Sequence, residues 1–90
     1  MTILEKVKLS LRIASDDFDE EITDLINACE SDLGIAGIIN VEETDSLIIR
    51  AICTFCKANF GETDEYERYK SSYDEQKAQL QMATGYTTWG

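Results

Sequence analysis

Carboxylates and thiols are the side chains of this 90-residue sequence whose spacing could do chemistry, since histidine is absent. Between Ile13 and Ile49 stand eleven acids, Asp16, Asp17, Asp19, Glu20, Glu21, Asp24, Glu30, Asp32, Glu42, Glu43 and Asp45, with no Lys or Arg among them. Asp17, Asp19 and Glu21 raise the possibility of a calcium loop. Counted from Asp17, such a loop needs Gly at its sixth place and Glu at its twelfth, where Ile22 and Ala28 stand. Counted from Asp19, the twelfth residue is Glu30, but the sixth is Asp24 and Ile22, Leu25 and Ile26 follow a helical phase. Paired carboxylates can also act as acid and base across a sugar bond, which demands a pocket of fixed width that nothing in this sequence builds. Cys53 and Cys56 form a C-x-x-C, yet zinc would need two further ligands, with no His and no second Cys pair to supply them. A redox pair belongs at an exposed helix start, whereas Ile-Cys-Thr-Phe-Cys reads as mid-helix. Cys29, Cys53 and Cys56 are therefore expected as reduced, buried, small hydrophobes. The sequence reads as a non-enzyme with no cofactor and no metal.

Composition narrows the class further. Ninety residues make one small domain that buries roughly 60% of its unfolded surface. A net charge of −10 and a pI near 4.2 argue against a free-standing binder of nucleic acid or anionic membrane. No apolar run approaches the roughly 20 residues that cross a bilayer. The opening Met-Thr-Ile-Leu-Glu-Lys lacks a signal architecture, so synthesis and use in a cytoplasm are expected.

The elements that must carry the acids are helices. Thr2 followed by Glu5 is a capping box for a short first helix burying Ile3, Leu4, Val7 and Leu11 and ending near Arg12. Ser15 or Asp16 is expected to cap a second helix of about twenty residues, close to 30 Å long, that Gly34 stops. Its stripe is Ile22, Leu25, Ile26, Cys29 and Leu33, and the acids of its first turn suit the helix dipole. An apolar loop, residues 34–43, then folds onto the core or meets another chain. Thr44 or Asp45 caps a third helix reaching about Phe60, apolar nearly all round and hence central. Gly61 separates it from a polar fourth helix, about Thr63 to Met82, with a thin stripe of Tyr66, Tyr69, Tyr73, Leu80 and Ala83. Glu67–Lys70 and Asp74–Lys77 are expected as surface pairs. The expected fold is thus all-α, a four-helix domain over residues 1–83 with a flexible tail, 84–90.

Three groups of residues stand out as contact candidates. Asp16, Asp17, Asp19, Glu20 and Asp24 form an acidic face that would line a channel or meet a neighbouring subunit. Lys6, Lys8 and Arg12 form a basic patch, either a solvated helix face or one that meets the acids of a neighbouring copy. Tyr86 and Trp89 in the tail are candidate docking anchors.

The Leu11-Arg12-Ile13 segment, the acids from Asp16 to Glu21, and the helix carrying Ile22, Leu25, Ile26, Ala28 and Cys29 resemble the head–tail connector proteins of tailed bacteriophages. The strongly apolar helix from Leu47 to Phe60 extends the similarity, which spans residues 2 to about 82. What the resemblance implies is a structural adaptor at the head–tail junction of a virion, assembled in a host cytoplasm. It implies a ring, commonly of about a dozen copies, that docks beneath a portal protein. The ring would lengthen the channel through which DNA passes as cargo and offer a platform to a tail-side stopper protein. Negative walls would let a polyanion slide without sticking. The alternative is a small acidic adaptor or DNA-mimicking regulator that binds a basic protein.

Overall fold

A computed structural model describes residues 2–38, 45–60 and 64–82. The fold is all-α, with α1 over Ile3–Leu11, α2 over Asp19–Ile35, α3 over Ser46–Asn59 and α4 over Tyr66–Met82. The first helix starts where the sequence predicts. Thr2 Oγ1 accepts from the Glu5 backbone N–H at 3.2 Å, and Glu5 Oε1 accepts from that of Thr2 at 3.0 Å, satisfying two orphan donors reciprocally. Its end is less ordinary. Arg12 adopts the left-handed conformation, φ 61° and ψ 41°, and the N–H groups of Arg12 and Ile13 return to Leu9 and Lys8. That Schellman geometry usually takes glycine, because a Cβ there crowds the following carbonyl.

The second helix departs from its expected bounds. It starts at Asp19 with Phe18 in the cap position and no side-chain capping bond, so neither Ser15 nor Asp16 caps it. Ser15 Oγ instead accepts from the Asp17 N–H at 3.1 Å, which holds residues 15–18 in a turn. Gly34 lies within the helix rather than stopping it, and Gly37, at φ 90°, takes the conformation that a side chain disfavours. The helix is 17 residues long, so it runs about 26 Å rather than 30 Å.

Asp45 caps α3, its Oδ1 accepting from Leu47 N–H at 2.8 Å and Ile48 N–H at 3.4 Å. This helix touches all the others, while α4 packs chiefly along α3. Ile48, Ala51, Ile52 and Cys56 are fully buried and meet Val7 of α1, Ile22, Ile26, Cys29 and Leu33 of α2, and Tyr73 and Leu80 of α4. Each fully buried aliphatic side chain contributes roughly 1.5–3 kcal/mol, so this one cluster holds the fold. The 34–43 loop does fold back as far as Ile38, which is fully buried, although Ile35 is 87% exposed. Residues 39–44 lie outside the described part.

Candidate functional site

The outer face of α2 carries two unlike surfaces. Its N-terminal half and the turn before it present the acids. Asp16, Asp17, Glu20, Glu21 and Asp24 are exposed and Asp19 is half-buried. The first turn places Asp19, Glu20 and Glu21 at the positive end of the helix dipole, where negative charge is favoured. Among the described residues, ion pairs to this stretch come from Lys8 alone, with Nζ 3.0 Å from Asp16 Oδ1 and 2.8 Å from Asp19 Oδ1. Hydrogen bonds to Asp19 and then Asp16 hold the Lys8 ammonium above its ordinary pKa. Lys8 of the predicted basic patch is thereby engaged by acids of its own chain, whereas Arg12 is exposed and Lys6 half-buried. Asp17, Glu20 and Asp24 are left facing solvent.

The C-terminal half of α2 spends its polar groups inside the fold. Tyr73 of α4 donates its hydroxyl to Asp32 Oδ2 at 2.6 Å, and Lys77 Nζ reaches the same oxygen at 3.1 Å. The Cys29 thiol lies 3.7 Å from Tyr73 Oη and donates to it, while the Lys77 ammonium sits 5.2 Å above the Tyr73 ring centre, within cation–π reach. Burial alone would raise the Asp32 carboxyl, but the Tyr73 hydroxyl and Lys77 outweigh it and hold the pKa below its ordinary value. Burial and the neighbouring carboxylate drive the Tyr73 phenol upward, so it stays protonated and keeps donating. Burial likewise pushes the Cys29 and Cys56 thiols up to about 12, which makes both inert as nucleophiles. One turn further on, the Gln81 side chain donates to the Ala36 carbonyl at 2.9 Å.

Among the described residues, these links tie α4 to α2 along one edge. Between the two helices, with α3 as floor, lies an open groove of about 580 Å³. Ala28, Ile35, Phe55, Ala58, Tyr66 and Tyr73 give it an apolar lining, and Lys70, Asp74, Asp32 and Lys77 stand at its rim. The four rim charges are already matched, Lys70 with Asp74 at 3.2 Å and Lys77 with Asp32 at 3.1 Å. The expected surface pairs Glu67–Lys70 and Asp74–Lys77 are therefore corrected. Lys70 turns to the carboxylate four residues ahead, and Lys77 crosses to α2, where a half-buried carboxylate offers a better partner than an exposed one.

The predicted acids fall together at one end of α2, and Lys8 lies against them. Tyr86 and Trp89 lie outside the described residues. The groove and its Asp32–Tyr73–Lys77 clasp were missed. A signal existed: Asp32 stands beside Leu33 and three residues after Cys29, on the flank of the buried stripe, where an acid needs a partner. Tyr73 and Lys77, four residues apart on one face of α4, are the natural donors.

Among the described residues no group of His, Cys, Asp or Glu side chains could hold a metal ion, and no helix is long and apolar enough to cross a membrane. A family profile described as "Phage connector protein" matches residues 3–87. The chain belongs to that family, whose members are structural proteins joining phage heads to tails. Searches of curated proteins and of solved structures returned no match.

Proposed function

We propose that this chain is the head-completion adaptor of its phage, forming a ring beneath the portal, lengthening the DNA channel and receiving the tail-side stopper. The observation that carries this reading is the exposed acidic end of α2. Asp17, Glu20 and Asp24 face solvent, and their mutual repulsion offsets what the helix dipole gives Glu20, so together they add little to the fold. Charge that the fold does not need is free for an encounter, and a wall of carboxylates lets a phosphate backbone pass without lodging. Arg12, in the left-handed conformation that glycine usually takes, is exposed, and its guanidinium would meet a neighbouring copy's acids. Tyr86 and Trp89 would anchor the segment after α4 on a ring partner.

The test pairs sedimentation of the chain with purified portal protein against a head–tail joining assay. Co-sedimentation in a ring stoichiometry, with infectious particles recovered, is expected. A chain that ignores the portal but competes with DNA for a basic protein would replace the connector mechanism with the acidic-adaptor reading.

A further inference from the structure

The groove between α2 and α4 is a surface feature that the connector reading leaves unused. It is apolar, it is floored by Phe55 and Ala58, and it runs beside Ile35, which is 87% exposed, and Tyr66, which is 40% exposed. An exposed row of this kind marks a surface that something covers. The charge pattern says what kind of occupant fits. The chain carries −10, so two copies repel over most of their surface, but the groove's rim is locally neutral because Lys70 and Lys77 are cancelled by Asp74 and Asp32. An anionic or cationic ligand would have to break those pairs. A neutral, aromatic one would not.

One segment of this chain has that character. Residues 83–90, Ala-Thr-Gly-Tyr-Thr-Thr-Trp-Gly, contain no charged side chain and hold Tyr86 and the only Trp. Extended, eight residues reach roughly 26 Å, enough to traverse the roughly 16 Å of α4 between Tyr66 and Lys77. We propose that the groove of one copy receives residues 83–90 of a second copy, with Trp89 or Tyr86 seated against Ile35, Phe55 and Tyr66. This rests on the assembly reading above and names its contact. A chain's own segment is the poorer occupant. The pairs Cys29–Tyr73, Asp32–Lys77 and Ala36–Gln81 show that α2 and α4 run parallel. The groove therefore lies behind the end of α4, and the segment would have to double back across the Gln81–Ala36 bond. A neighbour's segment enters without that reversal. Interfaces of this type draw most of their affinity from one or two seated aromatics.

The lone Trp makes the test direct. In the full chain, Trp fluorescence should move to shorter wavelength as concentration rises, in step with the sedimentation-measured assembly. Ile35→Glu and, separately, Tyr66→Ser alter exposed side chains, so helical circular dichroism should be unchanged while the midpoint of both transitions rises roughly tenfold or more. If the isolated chain stays monomeric, a synthetic peptide of residues 83–90 titrated to about 1 mM into the full-length Trp89→Ala variant, which has no Trp of its own, should give the same blue shift. That shift should be lost with Ile35→Glu added. A blue shift independent of concentration would mean the segment folds on its own chain, and assembly or peptide binding indifferent to both groove variants would mean another surface is used. Either result overturns the proposal. Normal portal binding alongside such a result would overturn the groove assignment alone and leave the connector reading standing.

Discussion

The two halves of α2 bury the same kind of residue and expose opposite kinds of surface. On the inner side, Ile22 and Ile26 continue into Cys29 and Leu33 without a break, all buried. On the outer side, the N-terminal half and the turn before it leave Asp17, Glu20 and Asp24 to solvent, whereas Asp32 in the C-terminal half is gripped by Tyr73 and Lys77. The difference teaches which charges belong to the fold and which do not. A carboxylate that is half-buried and doubly bonded organises two helices, while one that faces water among like charges organises nothing within the monomer.

The largest expected effect should be the same at both ends. Ile22→Ala and Leu33→Ala each remove a fully buried side chain and should each cost about 2–5 kcal/mol by urea unfolding. A cost confined to one of them would break the premise that the inner row is continuous. Ile52→Ala on α3, also fully buried, should fall in that range. Phe55 is half-buried and lines the groove, meeting Tyr73 edge-on with ring centres 5.2 Å apart, and does not share the full burial expected for the third helix.

The outer side should then separate the halves. Tyr73→Phe deletes the hydroxyl that serves Asp32 and leaves the packing intact, so a loss of about 1–2 kcal/mol is expected. The pH dependence follows from the same contact. Asp32 has a folded pKa below its ordinary 3.8, so its contribution is complete above that value and is lost as pH falls through it and below. Asp32→Asn should flatten stability over that acidic window. A variant whose acid profile still matches the natural chain would show that Asp32 is not what couples α4 to α2.

Arg12→Gly should do the reverse and stabilise the chain, by roughly 1 kcal/mol or less, since glycine relieves the left-handed strain but gains entropy when unfolded. If melting instead falls, the Arg12 side chain supports the monomer and its guanidinium is not reserved for a partner.

The helices and the central place of α3 were legible because they rest on local signals. The Thr2–Glu5 box, the Asp45 cap and the row Ile48, Ala51, Ile52, Cys56 are each contained within a few residues. The start of α2 differs because Ser15 and Asp16 read as caps, yet Ser15 spends its hydroxyl on the Asp17 N–H and no side chain takes the cap. The groove was hidden for another reason. It is made by a gap between helices far apart in sequence, and the partner choices of Asp32 and Lys77 bridge 45 residues, beyond any periodicity.

The smallest expected change in stability carries the most weight. Asp17→Asn, Glu20→Gln and Asp24→Asn combined leave Asp19 and its bond to Lys8 in place. They remove repulsion from a solvent-facing surface and, at Glu20, a dipole contact worth about 0.3–1 kcal/mol, so the two offset and helicity and melting temperature should change little. Head–tail joining by that triple variant is the measurement that tests the central claim most directly. The account predicts a normally folded chain with a reduced yield of infectious particles. Full yield from the folded triple variant would contradict it, because the acidic end of α2 would then have no part in joining or in DNA passage.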